Sequence, residues 1–211
     1  LRNDSYVNAG KDPIYTAEEI HQFAQGDSEW GYKAILKNAL QQSYNVGVQG
    51  GSKTTSYNIS FGYYDQESNY KGQDFGVKRY NFRSNVVSDI GRLKLTALLA
   101  YDRQEGRSDR GGLWLSDVMR VPTYNTYDIY PDADGKYYNT DVTTGGNFLA
   151  TLYHGGLTTN DDDHFQGVVS GELNIWKGLK AKAVLGYDLR SEHRLIKRRY
   201  HPVYDLSLIH I

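Results

Sequence analysis

The chain has 211 residues, 39% of them hydrophobic, with 24 Lys plus Arg against 25 Asp plus Glu, a formal net charge of -1 and no cysteine. This balance gives no electrostatic reason to expect nucleic acid as a partner, and the missing cysteines exclude a disulfide framework, a thiolate zinc site and a cysteine nucleophile. Mean hydropathy is -0.65, and no run approaches the roughly 20 apolar residues of a helical span; a membrane barrel stays open, because only alternate residues of its strands face lipid.

Nineteen tyrosines and 22 glycines against 4 prolines favour strands and turns. Residues 11–40 are the exception. Thr16-Ala17-Glu18-Glu19 is a helix-start signal, Ile20 and Phe23 follow at helical spacing, and Gly26 should stop the helix. Tyr32, Ile35, Leu36, Ala39 and Leu40 fit one face of a second short helix. Residues 1–40 are therefore read as a rim or loop segment with short helices.

From Ser43 the apolar period becomes two, and six strand candidates follow. Tyr44, Val46 and Val48 oppose Asn45, Gly47 and Gln49; Tyr57, Ile59, Phe61 and Tyr63 oppose Ser56, Asn58, Ser60 and Gly62. In the third, Tyr80, Phe82 and Val86 oppose Asn81, Arg83 and Asn85; in the fourth, Leu93, Leu95, Ala97, Leu99 and Tyr101 oppose Lys94, Thr96 and Asp102. Phe165, Val169, Leu173 and Ile175 then oppose Gln166, Ser170, Glu172 and Asn174, and Leu179, Ala181, Ala183, Leu185 and Tyr187 oppose Lys180, Lys182 and Asp188.

Such alternation is equally expected of a soluble sandwich with one wet face, so the connections carry the distinction. Short glycine-containing turns near Gly51, Gly91 and Gly178 alternate with a medium loop (67–78) and a long one (104–163). Short periplasmic turns alternating with long extracellular loops are the pattern of membrane barrels. Tyr63, Tyr80, Phe82, Tyr101, Phe165 and Tyr187 fall at strand ends beside the long connections, as an interfacial aromatic girdle would, and Trp176 at a short turn suits the opposite boundary. The predicted fold is all-β, an antiparallel transmembrane β-barrel fragment of about six meandering strands over residues 41–204, with an N-terminal helical segment.

The segment Tyr44-Asn45-Val46-Gly47-Val48-Gln49-Gly50-Gly51-Ser52-Lys53-Thr54-Thr55-Ser56-Tyr57 resembles a hairpin of SusC/RagA-type TonB-linked outer-membrane receptors. Phe61-Gly62-Tyr63-Tyr64-Asp65-Gln66-Glu67, then Lys78-Arg79-Tyr80-Asn81-Phe82-Arg83-Ser84-Asn85, then Leu93-Lys94-Leu95 follow in that family's order. Asp132-Ala133-Asp134-Gly135-Lys136-Tyr137-Tyr138 resembles its tyrosine-rich loop, and Gly178-Leu179-Lys180 with Gly186-Tyr187-Asp188 a later hairpin. The resemblance implies part of a plugged barrel of about 22 strands in the outer membrane of a Gram-negative bacterium. It further implies a SusD-like surface lipoprotein as partner, import of oligosaccharides or peptides, and energy relayed by TonB. Plug, TonB-contacting segment, export signal and closing strand are expected in a parent protein. Residues 205–211 resemble translated adapter read-through and are read as a non-native tail, with an ordinary strand as the alternative.

No nucleophile elbow, P-loop, HExxH or dinucleotide fingerprint is present, so no enzyme and no cofactor is expected. Asp161-Asp162-Asp163 and the Asp132/Asp134 pair read as solvated loop acids rather than a metal site. Binding is expected in the long loop, where aromatic faces suit sugar rings and Trp114, Tyr137 and Tyr138 are the candidate substrate-binding residues; the alternative for each ring is packing of the loop. Two other functions stay open: a non-transporting outer-membrane adhesin or structural barrel, and a soluble glycan-binding β-sandwich.

Overall fold

The computed structural model describes residues 2–24, 35–109, 129–139 and 146–204. Its six strands are β1 (Gln41–Gly51), β2 (Thr55–Glu67), β3 (Gly76–Ile90), β4 (Leu93–Asp109), β5 (Leu157–Trp176) and β6 (Leu179–Lys197). They form one antiparallel sheet in the order β1-β2-β3-β4-β5-β6, so every sequence neighbour is a sheet neighbour. Among the described residues no second sheet lies on this one.

The short connections are as tight as the glycines allow. β3 passes to β4 through Gly91-Arg92, and β5 to β6 through Lys177-Gly178. Gly91 and Gly178 have φ of 62° and 81°, the left-handed conformation that two-residue hairpin turns require and that a Cβ disfavours. Strands lengthen along the chain, from 11 residues in β1 to 20 in β5. Eleven residues rising about 3.4 Å each, tilted about 45°, cover about 26 Å, the height of an outer-membrane apolar band. β5 therefore continues well past that band.

That extension narrows the long connection expected over 104–163. β4 runs to Asp109, β5 begins at Leu157, and a helix, α3 (Phe148–His154), precedes it. Asp161, Asp162 and Asp163 are strand residues, not loop acids; they pair in register with Glu105, Gln104 and Arg103.

At the N-terminus, α2 (Ala17–Ala24) starts where the Thr16 signal places it, with Ile20 N–H donating to the Thr16 carbonyl at 3.1 Å. An additional helix, α1 (Arg2–Asn8), precedes it, and the Asn3 side chain holds Tyr15 through both its backbone N–H and its carbonyl. The expected second helix does not extend through Leu40. Leu36 bridges Tyr70, Lys37 N–H donates to the Asn69 carbonyl at 2.7 Å, and Glu67 N–H donates to the Leu40 carbonyl at 2.9 Å. These backbone groups are taken up by the β2–β3 loop, which draws the segment out as a lead-in to β1.

Among the described residues the buried apolar side chains lie off the sheet, at its long-loop end. Ile35, Phe75 and Leu152 form one cluster, and Tyr137, Leu149 and Ala150 another, with Ile129 packed against both. α3 thus supplies the apolar side chains of a small cap over the strand ends.

Candidate functional site

Register turns strand parity into two faces. On one face the cross-strand rungs read Tyr57-Val86-Ala97-Val169-Leu185, then Val48-Ile59-Ser84-Leu99-Gly167-Tyr187, then Val46-Phe61-Phe82-Tyr101-Phe165-Leu189. The next rung, Tyr44-Tyr63-Tyr80-Arg103-Asp163, ends the apolar run, and Gln42-Asp65-Lys78-Glu105-Asp161 beyond it is polar throughout. In a water-soluble domain such a band would be covered, yet Val46 is 65% exposed, Val169 56% and Leu185 79%. A wide apolar surface of this kind marks contact with another apolar phase.

The girdle phenols show which way water lies. Tyr44 donates to Gln42 at 2.8 Å, Tyr63 to Asp65 at 2.9 Å and Tyr101 to Asp163 at 2.6 Å, each reaching from the apolar band toward the long-loop end. Rings among hydrocarbon with hydroxyls in the polar layer is the amphipathic placement favoured at a membrane boundary. Tyr44 and Tyr63 stack at 6.3 Å, and Tyr63 meets Tyr80 at 5.2 Å, so the girdle is continuous over three strands. Tyr187, expected in the same belt, stands two rungs nearer the band centre than Tyr63 and Tyr80, one rung from Phe165, on which it packs at 6.1 Å.

The opposite face carries the charged and amide side chains. Arg190 holds Asp162 through two parallel bonds of 3.1 and 2.6 Å, Gln166 donates to Asp188 at 2.7 Å, and His164 lies 3.2 Å from the same carboxylate. A depression of about 520 Å³ lies nearer mid-strand, lined by Asn58, Ser60, Arg83, Asn85, Leu98, Gln166 and Val168. Sequence reading missed part of this face. Leu98 and Val168 pair directly across β4 and β5, and Val184 stands one rung away, so an apolar patch interrupts the polar side chains. Extending the parity of β4, β5 and β6 by single residues would have found it.

In the long-loop cap, Asn147 is 1% exposed and organises its neighbours. Its Oδ1 accepts the Ala150 N–H at 3.0 Å, capping α3, while Nδ2 donates to the carbonyls of Ile129 and Tyr138, each at 3.0 Å. Of the three candidate binding residues, Trp114 lies outside the described residues. Tyr137 is 9% exposed, in the cluster with Leu149 and edge-on to His154, so its ring packs the cap. Tyr138 is half-buried, 6.2 Å from Tyr204, with its hydroxyl donating to Asp132 at 2.8 Å. The structure therefore brings Tyr137 and Tyr138 together, one inward and one nearer the surface.

Asp132 also accepts the backbone N–H groups of Lys136 at 2.8 Å and Asp134 at 2.9 Å. The Lys136 N–H, then the Tyr138 hydroxyl, hold its carboxyl below the usual carboxylate range. A depressed folded pKa contributes stability above the unfolded value, about 3.9, that is lost as pH falls through the folded one. Amide protection factors at Lys136 in the assembled parent protein should thus hold from pH 7 to about 4 and drop below it. Asp132→Asn should lower them at pH 7; unchanged protection at Lys136 in that variant at pH 7 would mean that Asp132 does not hold the turn.

No family model matches the chain. TonB-dependent receptor P26 of Formosa agariphila is 27% identical over 139 residues, 64% of this chain and 13% of that protein. A structure of the RagAB peptide importer in its closed-closed state superposes with a TM-score of 0.68 at 26% identity, over 86% of this chain and 21% of that one. The chain has the fold of a SusC/RagA-type barrel segment. A second structure, of the RagAB peptide transporter, matches with a TM-score of 0.64 at 27% identity, over 81% of the barrel segment and 20% of its own chain. By their names the matched proteins are a receptor and an importer. The barrel segment spans only 13% of the curated relative and about a fifth of the solved chains.

Proposed function

We propose that this chain is a stretch of the wall of an outer-membrane nutrient importer, a TonB-dependent receptor that takes up peptides or oligosaccharides together with a SusD-like surface lipoprotein. The supporting observation is the uncovered apolar face ending in an aromatic girdle, on a sheet that matches importer barrels at 26 to 27% identity. With the girdle face toward lipid, the face bearing Arg83, Asp162, Gln166 and Arg190 lines the lumen, and the Asn147-centred cap stands on the extracellular side. Transport belongs to the parent protein, in which a plug and a TonB-contacting segment complete the machine. Within the long loop, Trp114 and Tyr138 are the proposed ligand-facing rings, and Tyr137 supports Tyr138 from the cap core.

The test is uptake by cells carrying the parent protein, supplied with fluorescent oligopeptides and, separately, oligosaccharides. Uptake of one class that disappears when TonB is deleted is expected, and Trp114→Ala with Tyr138→Ala should weaken capture without lowering barrel assembly. Absence of TonB-dependent uptake of either class would favour the non-transporting barrel.

A further inference from the structure

Both ends of the strands carry cations, and at the long-loop end, where Arg194, Lys197, Arg198 and Arg199 make no side-chain hydrogen bond or ion pair among the described residues, others are paired. At the long-loop edge Lys37 pairs with Glu67 at 3.1 Å, Arg107 with Asp74 at 2.9 Å and Arg190 with Asp162 at 2.6 Å. At the short-turn edge each of the three turns carries one cation, Lys53, Arg92 or Lys177, all exposed. None of these three makes a side-chain hydrogen bond or ion pair among the described residues. The adjoining rungs add Lys94, Lys180 and Lys182 against only Asp89 and Glu172, and just one contact joins these groups, Lys180 to Glu172 at 2.8 Å. Six cations face two carboxylates over this edge, and of the six Lys94, Lys180 and Lys182 stand on the lumen-side face, which leaves the three turn cations for the lipid boundary.

The turn cations also stand where the apolar band stops. Lys177 follows Trp176, which is 81% exposed, and Arg92 lies between Ile90, 59% exposed, and Leu93. A lysine or arginine at such a boundary lays its methylenes along apolar surface and lifts its charge into the polar layer. Successive turns are two strands apart, about 10 Å, so each charge meets its own anionic group rather than sharing one.

We propose that the short-turn edge binds the phosphates of anionic phospholipid headgroups through Lys53, Arg92 and Lys177, with Trp176 seated beside them at the hydrocarbon boundary. This rests on the outer-membrane reading above. A free water-soluble anion would leave Trp176 and Ile90 uncovered; a phospholipid covers them with its chains while its phosphate meets the cations.

The test uses the parent protein in phosphatidylcholine vesicles, with Trp176→Cys carrying a bimane label in a background cleared of other cysteines; this chain contributes none. Lipids brominated on their chains are added as either phosphatidylglycerol or phosphatidylcholine. Both should quench, and phosphatidylglycerol should be preferred about fivefold, the factor expected for one surface cation near an anionic lipid. The preference should vanish in Lys53→Gln/Arg92→Gln/Lys177→Gln and in high salt, with assembly unchanged. Equal quenching by the two lipids would overturn the proposal and leave the membrane reading standing. A preference surviving in the triple variant would overturn the assignment to these residues. Absence of quenching by either lipid would place the turn outside the bilayer and overturn the proposal, while the mid-strand apolar band is tested separately by the accessibility of positions 59 and 95.

Discussion

Arginine at Ile59 or Leu95 should destabilise the assembled parent barrel by about 2–4 kcal/mol, the cost of a cation near the bilayer midplane on a lipid-facing position. The rung through Tyr57, Val86, Ala97, Val169 and Leu185 lies near the centre of the apolar band, and Ile59 and Leu95 stand one rung to either side of it. Each is then about 5 Å from the midplane along the membrane normal. A guanidinium there must leave water, distort the bilayer or reach for the boundary. Asn58→Arg and Lys94→Arg, on the other face, should be nearly neutral because the added or exchanged charge stays in water. Equilibrium unfolding of the four variants in vesicles reads the difference, and equal costs on both faces would contradict the assignment of faces.

Asn147→Ala should open the long-loop cap locally by about 2–4 kcal/mol, combining a lost helix cap with two carbonyls left without their donor in a buried site. The lost bonds are those to Ala150, Ile129 and Tyr138. Because Tyr137, Leu149 and Ala150 pack around this point, their protection should fall together while that of the strands is retained. Hydrogen exchange over 129–154 in the parent protein measures this. Unchanged protection there, or loss spreading into β4 and β5, would contradict a cap held chiefly by Asn147.

What could be read from residues alone follows from where the environment is two-sided. Between Tyr44 and Val48 or Leu93 and Tyr101, one face meets hydrocarbon and the other water, so the period of two is written plainly. Beyond the girdle both faces are wet, and the signal fades. Gln104 to Asp109 and Leu157 to Asp163 are nearly all polar, which is why β4 and β5 were expected to end short of their observed limits. The segment from Leu36 to Leu40 read as helix because its apolar spacing was counted without the loop strand that takes up its hydrogen bonds. α3 went unread, because residues 104–163 read as one long loop, although Asn147 before Phe148-Leu149 with Leu152 following is an N-cap residue ahead of an apolar helical face. Asn147's donations to Ile129 and Tyr138 depend on tertiary structure and left no local mark. The inward packing of Tyr137 beside a more accessible Tyr138 has the same origin, since adjacent tyrosines are equivalent until α3 packs against one of them.

The membrane assignment is most directly tested by accessibility in assembled membranes of the parent protein carrying, one at a time, Asn58→Cys, Ile59→Cys, Lys94→Cys and Leu95→Cys. A water-soluble thiol reagent should modify positions 58 and 94 only, and a lipid-phase reagent positions 59 and 95 only. If 59 and 95 are inert to the lipid-phase reagent, the apolar face is covered by protein, and the chain is not a wall of a membrane barrel.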